Sequence, residues 1–199
     1  RDTSKRFKFK MIYGGTAHGF MSDPMFQHLG YKKKEWEIII DEYFNKYHGL
    51  KSWHKNLIEQ ATSTGYYTSP SGRTYDYRSL FEKYEDWFYI PKIKNYPVQG
   101  FGADIVAVAR IELYRRMKEA KCKSLLVNTI HDSIILDCPR AEIYPTGVDK
   151  DSPMLYNIRV EIEKVFQDLP RLLSEAFDIK FDLPLTVDCK NLLTGEKLK

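Results

Sequence analysis

The sequence predicts an α+β fold, and two observations carry the prediction. Apolar residues recur at three-four spacing through several segments of ten or more residues, which is the helical period. Two other stretches, 65–77 and 124–139, read instead as extended hairpins around short turns. At 199 residues the chain is long enough to bury a sizeable core, as one domain or as two smaller lobes.

Taken in order, residues 2–13 read as a helix that Gly14-Gly15 stops. Asp23-Pro24 makes a cap and first-turn pair for a short helix to about Leu29, closed by Gly30. A long amphipathic helix is expected over 33–48, where Trp36, Ile39, Ile40, Tyr43, Phe44 and Tyr47 share one face. Another is expected from about Lys51 to Thr64, with Gly65 as its stop. "GYYTSPSGRTYDY" follows as a hairpin turning at Pro70-Ser71-Gly72. Residues 80–95 are aromatic and charged without clean periodicity and receive no assignment. "NYPVQGFGADIVAVARIELYRRMKEA" reads as a helix with Pro97 near its start and a basic outer face at Arg110, Arg115, Arg116 and Lys118. Gly100, Gly102 and Ala103 would let a ligand or another backbone come close. "SLLVNTIHDSIILDCP" is a tight hairpin tipped by His131-Asp132. A helix over about 153–177 and a strand over about 183–188 complete the reading.

No run of eighteen or more apolar residues is present, which excludes a transmembrane helix, and no apolar stretch backs the basic N-terminus as a signal peptide would require. The first residue is not Met, so a processed product or a piece of something longer is expected. Cys122, Cys138 and Cys189 are odd in number and show no CxxC spacing, which favours free thiols in an intracellular, reducing compartment. The net charge is +4, and residues 1–10 concentrate it: Arg1, Lys5, Arg6, Lys8 and Lys10 stand against Asp2 alone. Such a local cationic face suits a polyanion such as phosphate or nucleic acid.

Three groups of residues suit specific chemistry. Arg1, Lys5, Phe9 and Tyr13 lie four apart and form one slowly winding stripe on a helix. The bland reading is a solvated face over a core edge. In the functional one, Arg1 and Lys5 hold adjacent phosphates, the first by its planar fork and the second as a point charge. Phe9, one turn on, then offers a surface on which a base stacks. Asp132 at a rigid hairpin tip is either a turn-favouring residue or an oxygen ligand for a hard divalent cation, and a two-metal site needs at least one further carboxylate. Asn95 and Gln99, four apart, are ordinary helix-start amides or donors to minor-groove and sugar acceptors.

Arg1-x-x-x-Lys5-x-x-x-Phe9-x-x-x-Tyr13-Gly14, then "PVQG", then "VNTIHDSIILD", resembles the C-terminal half of the polymerase module in family A DNA polymerases. "IYGGTAHGF", "YFNKYHGLKSWHKNLIEQATSTGYYTSPSGRTY" and "LPLTVDC" extend the likeness through the whole chain. The resemblance implies a helical fingers part at about 1–85 and the C-terminal part of a palm at about 86–199. It implies that Arg1 and Lys5 contact the triphosphate, with Lys5 aiding catalysis, that Phe9 packs on base and sugar, and that Tyr13 lies beside the template base. Asp132 would ligate one of two Mg2+ ions, with His131 near the primer terminus. Asn95 and Gln99 would touch the nascent duplex, and Arg73 the template. The implied partners are primer-template DNA, a deoxynucleoside triphosphate and an N-terminal polymerase half, on the same chain or a separate subunit, in a bacterial or phage-infected cytoplasm with no membrane association.

Three departures from the family pattern stand out. Lys10 occupies a position that is usually Gly, which removes a flexible point and is expected to add charge near DNA. Ser133 stands where Glu is usual, so tuned rather than abolished activity is expected. The metal-binding Asp of the family's first palm motif has no counterpart here, and Asp2-Thr3-Ser4 mimics only its letters. The part alone is therefore expected to be inactive. The alternative reading is a non-catalytic nucleic-acid-binding module or subunit.

Overall fold

The computed structural model describes residues 2–83, 90–144 and 157–198, which fall in two compact units, 1–100 and 101–199. The first unit begins with α1 (Asp2–Ile12), which ends where Gly14 takes the left-handed φ of +85°. Then come α2 (Ala17–Met21) and α3 (Pro24–Gln27). Asp23 caps α3, its Oδ1 accepting from the Met25 amide at 3.1 Å, and Pro24 occupies the first turn as expected. The two amphipathic helices are α4 (Lys33–Lys46) and α5 (His48–Thr64), and Gly65 ends α5 at φ +79°. Strands β1 (Tyr66–Thr68) and β2 (Thr74–Asp76) form the expected hairpin, with Tyr66 opposite Asp76. The segment left unassigned in the sequence contributes α6 (Arg78–Lys83) and the start of α7 (Ile90–Glu119).

Two apolar clusters organise this unit. Met11, Ala17, Phe20, Phe26 and Trp36 bury the underside of α1, with Phe20 stacked on Trp36 at 4.7 Å between ring centroids. Leu57, Ala61, Tyr77 and Ile93 join α5 and the hairpin to the start of α7.

Helix α7 corrects the expectation that Pro97 lies near a helix start, because Pro97 sits two turns inside it. Proline donates no amide hydrogen, so the Ile93 carbonyl four residues back loses its helical partner. The fully buried Tyr77 hydroxyl donates to that carbonyl at 3.2 Å, which removes much of the penalty for continuing the helix. Gly100, three residues on, meets Tyr75 of β2 so closely that an added Cβ would lie 1.8 Å from the hydroxyl oxygen.

The second unit packs the rest of α7 against β3 (Leu125–Ile130), β4 (Ser133–Asp137), α8 (Arg140–Ile143) and α9 (Ile158–Phe177). Its core is Ala109, Leu113, Met117, Ile158, Val165, Leu169 and Leu173. Asn157 caps α9 through hydrogen bonds from the Arg159 and Val160 amides; the expected earlier start near Pro153 lies outside the described residues. Two of the four cations predicted on the basic face of α7 are held by carboxylates. Arg115 pairs with Glu112 and Glu119, while Arg116 is only 15% exposed and bridges Glu112, Glu161 at 3.1 Å and Asp168. The strand expected at 183–188 is not formed: Leu185 packs on the core, but no neighbouring strand pairs with the segment among the described residues.

The two helical glycines near Gln99 are expected to respond oppositely to alanine. Gly100→Ala should lower stability by about 1–3 kcal/mol through overpacking against Tyr75. Gly102→Ala, with nothing within 4 Å of the new methyl, should raise it by roughly 0.5–1 kcal/mol. Denaturant unfolding of each variant checks both signs.

Candidate nucleotide and nucleic-acid interface

Helix α1 divides into a held side and a free side. Phe7 and Met11 face the core, where Phe7 packs on Phe20 at 5.3 Å between centroids. Lys5 and Phe9 are exposed on the other side, and Phe9 remains 45% accessible despite its size. The Phe9 and Tyr13 rings lie nearly parallel, 6.2 Å apart and 12° from coplanar, and Lys5 Nζ sits 5.7 Å from the Phe9 centroid. The predicted cation-aromatic-aromatic stripe therefore exists from Lys5 to Tyr13. Arg1 lies outside the described residues.

Lys10 does not add a free charge to this face. Its ammonium turns inward to the Asp23 carboxylate, Oδ2 at 2.7 Å, and to the Gly19 carbonyl. A lysine in a basic helix reads as solvated, and its partner thirteen residues away gives no local signal.

Two further polar groups at the end of α1 were not singled out by sequence. His54 of α5 is 5% exposed and its Nε2 has no hydrogen-bond partner. Burial first, and the nearby Lys94 charge second, pull its pKa down to about 4, against a weaker opposing pull from the Ile12 carbonyl. Lys94 of α7 lies against Gly14, where an added Cβ would come within 2.7 Å of Nζ. Burial lowers the pKa of Lys94 as well. In sequence, each is a single polar residue at a helical position, and only tertiary packing shows that they meet.

Asn95 and Gln99 lie within α7, not at its entry. Gln99 is exposed, whereas Asn95 is half-buried with its Oδ1 unpartnered. Arg73, in the turn of the β1–β2 hairpin, lies with Cδ 3.2 Å from the position of a Cβ on Gly100, so it shares a surface with the residue following Gln99.

In the second unit, His131 and Asp132 form the two-residue loop between β3 and β4, and both are exposed. His131 adopts φ +53°, a left-handed conformation that glycine or asparagine takes more readily. Ile134 and Leu136 of β4 seat the hairpin on the core. Glu142 secures its base by accepting from the Lys123 and Ser124 amides at 2.6 and 2.9 Å. The opposite side of β3 leaves Leu125, Val127 and Ile130 exposed. Among the described residues no three histidine, cysteine or acidic side chains converge as a metal site, and no helix is long and apolar enough to cross a membrane.

The first unit thus presents an exposed cation beside stacked aromatics, and the second an exposed carboxylate on a hairpin tip. The sequence matches DNA polymerase family A over residues 1–191, and the chain belongs to that family. It is 29% identical over 198 residues to DNA polymerase I of Bacillus caldotenax, covering 94% of this chain and 19% of that protein. It is 26% identical over 146 residues to the DNA polymerase of Bacillus phage SP01, covering 72% of this chain and 16% of that protein. The chain thus spans about a fifth or less of the length of these relatives. Its fold is similar to that of the POL domain of Pol1 from M. smegmatis in complex with DNA primer-template and dNTP. The TM-score is 0.64 at 20% identity, over 91% of this chain and 28% of that one.

The pH response of the first unit tests the His54 environment. The ring is neutral when folded, whereas the unfolded chain gains its proton near pH 6.5. Stability is therefore fully present above about pH 6.5 and falls as pH drops towards 4. Denaturant melts followed by tryptophan fluorescence should show this loss between pH 7 and 4.5, and His54→Met should flatten it.

Proposed function

We propose that this chain carries the nucleotide-binding helix and one metal-binding carboxylate of a template-directed DNA polymerase. The observation that carries this reading is the free face of α1: exposed Lys5 and Phe9, with Tyr13 stacked on Phe9. A cation one turn from an exposed aromatic surface matches a nucleotide from phosphate to base. Membership in DNA polymerase family A supports the assignment. So does the likeness to a polymerase domain in complex with DNA primer-template and dNTP, partners that we assign here by analogy.

On this reading residues 1–85 belong to the fingers and 86–199 to the palm. The reaction is attack of the primer 3′-hydroxyl on the α-phosphorus, with departure of pyrophosphate. Lys5, and Arg1 before it, hold the negative charge of the phosphates and stabilise it as it grows. Phe9 supports base and sugar, and Tyr13 stands beside the template base. Arg73, Asn95 and Gln99 face the nucleic acid, and His131 lies near the primer terminus. His131 holds a left-handed backbone where glycine would be easier, a constraint that commonly accompanies functional tips.

Asp132 fits a divalent cation as one ligand, since it is an exposed oxygen donor on a short, anchored loop. It does not complete a site by itself, so a second carboxylate would come from the upstream palm half, on the same chain or as a separate subunit. The uncovered apolar side of β3 suits a surface that this half covers. Two Mg2+ ions, when bound, would lower the pKa of the primer hydroxyl and stabilise the leaving oxygens. Ser133 is expected to tune rather than remove activity.

The residues 1–199 alone should not extend a primer, and adding the upstream half should restore synthesis. In that completed protein Asp132→Ala should cut incorporation by about 10²–10³-fold or more, measured as single-nucleotide extension of a primer-template with Mg2+. An unchanged rate would refute the metal-ligand role, and extension by residues 1–199 alone would refute the need for a second carboxylate. A protein that binds primer-template but never extends it would instead be the non-catalytic module.

A further inference from the structure

The side chain of Lys10 passes from α1 into α2 and α3 through a slot made by glycine. An added Cβ on Gly15 would lie 2.8 Å from Lys10 Cγ, and one on Gly19 would lie 3.8 Å from its Cε. At the end of the slot Nζ donates to the Gly19 carbonyl at 2.5 Å and to Asp23 Oδ2 at 2.7 Å. It also lies 5.1 and 5.6 Å from the Phe20 and Phe26 ring centroids, close enough for cation–π attraction. Asp23 is itself fixed, because its Oδ1 caps α3 through the Met25 amide and lies 3.7 Å from Arg6 of α1. The hydrogen bond from Lys10, with the Met25 amide second, holds the Asp23 carboxyl below the usual carboxylate range.

We propose that Lys10 is a positioning residue that sets the rotation of α1 about its own axis and so the direction in which Lys5 and Phe9 face. The inference rests on the reading of that face as the nucleotide site. The core contacts of Phe7 and Met11 decide which side of α1 is buried, by apolar packing whose driving force is non-directional and so sets the fine rotation less sharply than a hydrogen bond does. A roll of about 20° would move the outer edge of a helix, roughly 5–6 Å from its axis, by about 2 Å. Displacements of this size at a reacting group are costly. The Lys10 hydrogen bonds are directional and lie next to Phe9 in sequence, about 100° around the helix, so they add a restraint on that roll to the one the core supplies. Gly15 and Gly19 give the lysine its path, which links three residues that otherwise look independent. Lys10 itself touches no nucleotide on this account.

The test uses the complete polymerase that contains this segment. Lys10→Met keeps the stem over the two rings and removes the charge and its hydrogen bonds. Asp23→Asn keeps an acceptor for the α3 cap while removing the charge partner. Each should raise KM for the incoming deoxynucleoside triphosphate by about tenfold with kcat within about twofold. The double variant should be no worse than either single one, because both remove one link. Partial unfolding would instead lower the active fraction, and hence kcat, at unchanged KM. The salt dependence of primer-template binding should not change, whereas a Lys10 that met a phosphate would reduce the slope by about one. Unchanged KM, additive effects of the two substitutions or a reduced salt slope would overturn the proposal. If Lys10→Met fails to fold, Asp23→Asn alone decides. If the unmodified polymerase incorporates no nucleotide, the functional reading fails and this inference with it; if it does and the variants match it, only the inference fails.

Discussion

Burial of Met11 and Phe7 beneath α1 is the contact on which the free face of that helix depends. Met11 is fully buried among Phe20, Phe26 and Trp36, and removing such a side chain from water contributes about 1.5–3 kcal/mol. The same contact separates the two sides of the helix, since residues one turn apart share a face and residues one position apart do not. Lys5 and Phe9 are therefore left to solvent by the act of burying Phe7 and Met11. Exposure of a large aromatic beside a cation is thus a consequence of the core, and it is the feature that suits a nucleotide.

The second unit solves a different problem, that of holding a short hairpin steady. Two strands alone are marginal in water, so their rigidity has to come from what they pack against. Ile134 and Leu136 rest on the α7–α9 core, and Glu142 ties down the two residues just before β3 by accepting from their backbone amides. Arg116 joins α7 to α9 through Glu161 and Asp168 while also meeting Glu112 of its own helix. With three carboxylates around one guanidinium, the half-buried charge is well compensated, which is the condition under which such a group is tolerated. Asp132 is left exposed at the end of this supported structure.

Much of the fold was legible because its signals are local. Asp23-Pro24, Gly14, Gly30 and Gly65 mark helix boundaries through conformations that their own chemistry favours, and period-two and period-three-four patterns placed both hairpins and the main helices. The misreadings share the opposite character. Pro97 ends a helix unless something satisfies the carbonyl it orphans, and that something is Tyr77, twenty residues earlier. Residues 183–188 alternate as a strand does, yet a strand is defined by a partner that no pattern within it reveals. Lys10 and Arg116 look like surface cations until their carboxylates, distant in sequence, are brought to them. The stripe of Lys5, Phe9 and Tyr13 and the hairpin-tip place of Asp132 were legible because four-residue spacing and turn position are local features of a sequence. His54 and Lys94 were missed because their environment is made entirely by packing.

The central claim is that the free face of α1 meets the incoming nucleotide. The most direct measurement is photo-crosslinking of a templated deoxynucleoside triphosphate with a photoreactive base to the complete polymerase on primer-template, followed by mass-spectrometric mapping of the adduct. The account predicts template-dependent attachment within residues 5–13, at Phe9 or Tyr13. Template-dependent attachment confined to other segments, with residues 5–13 unmodified, would contradict it.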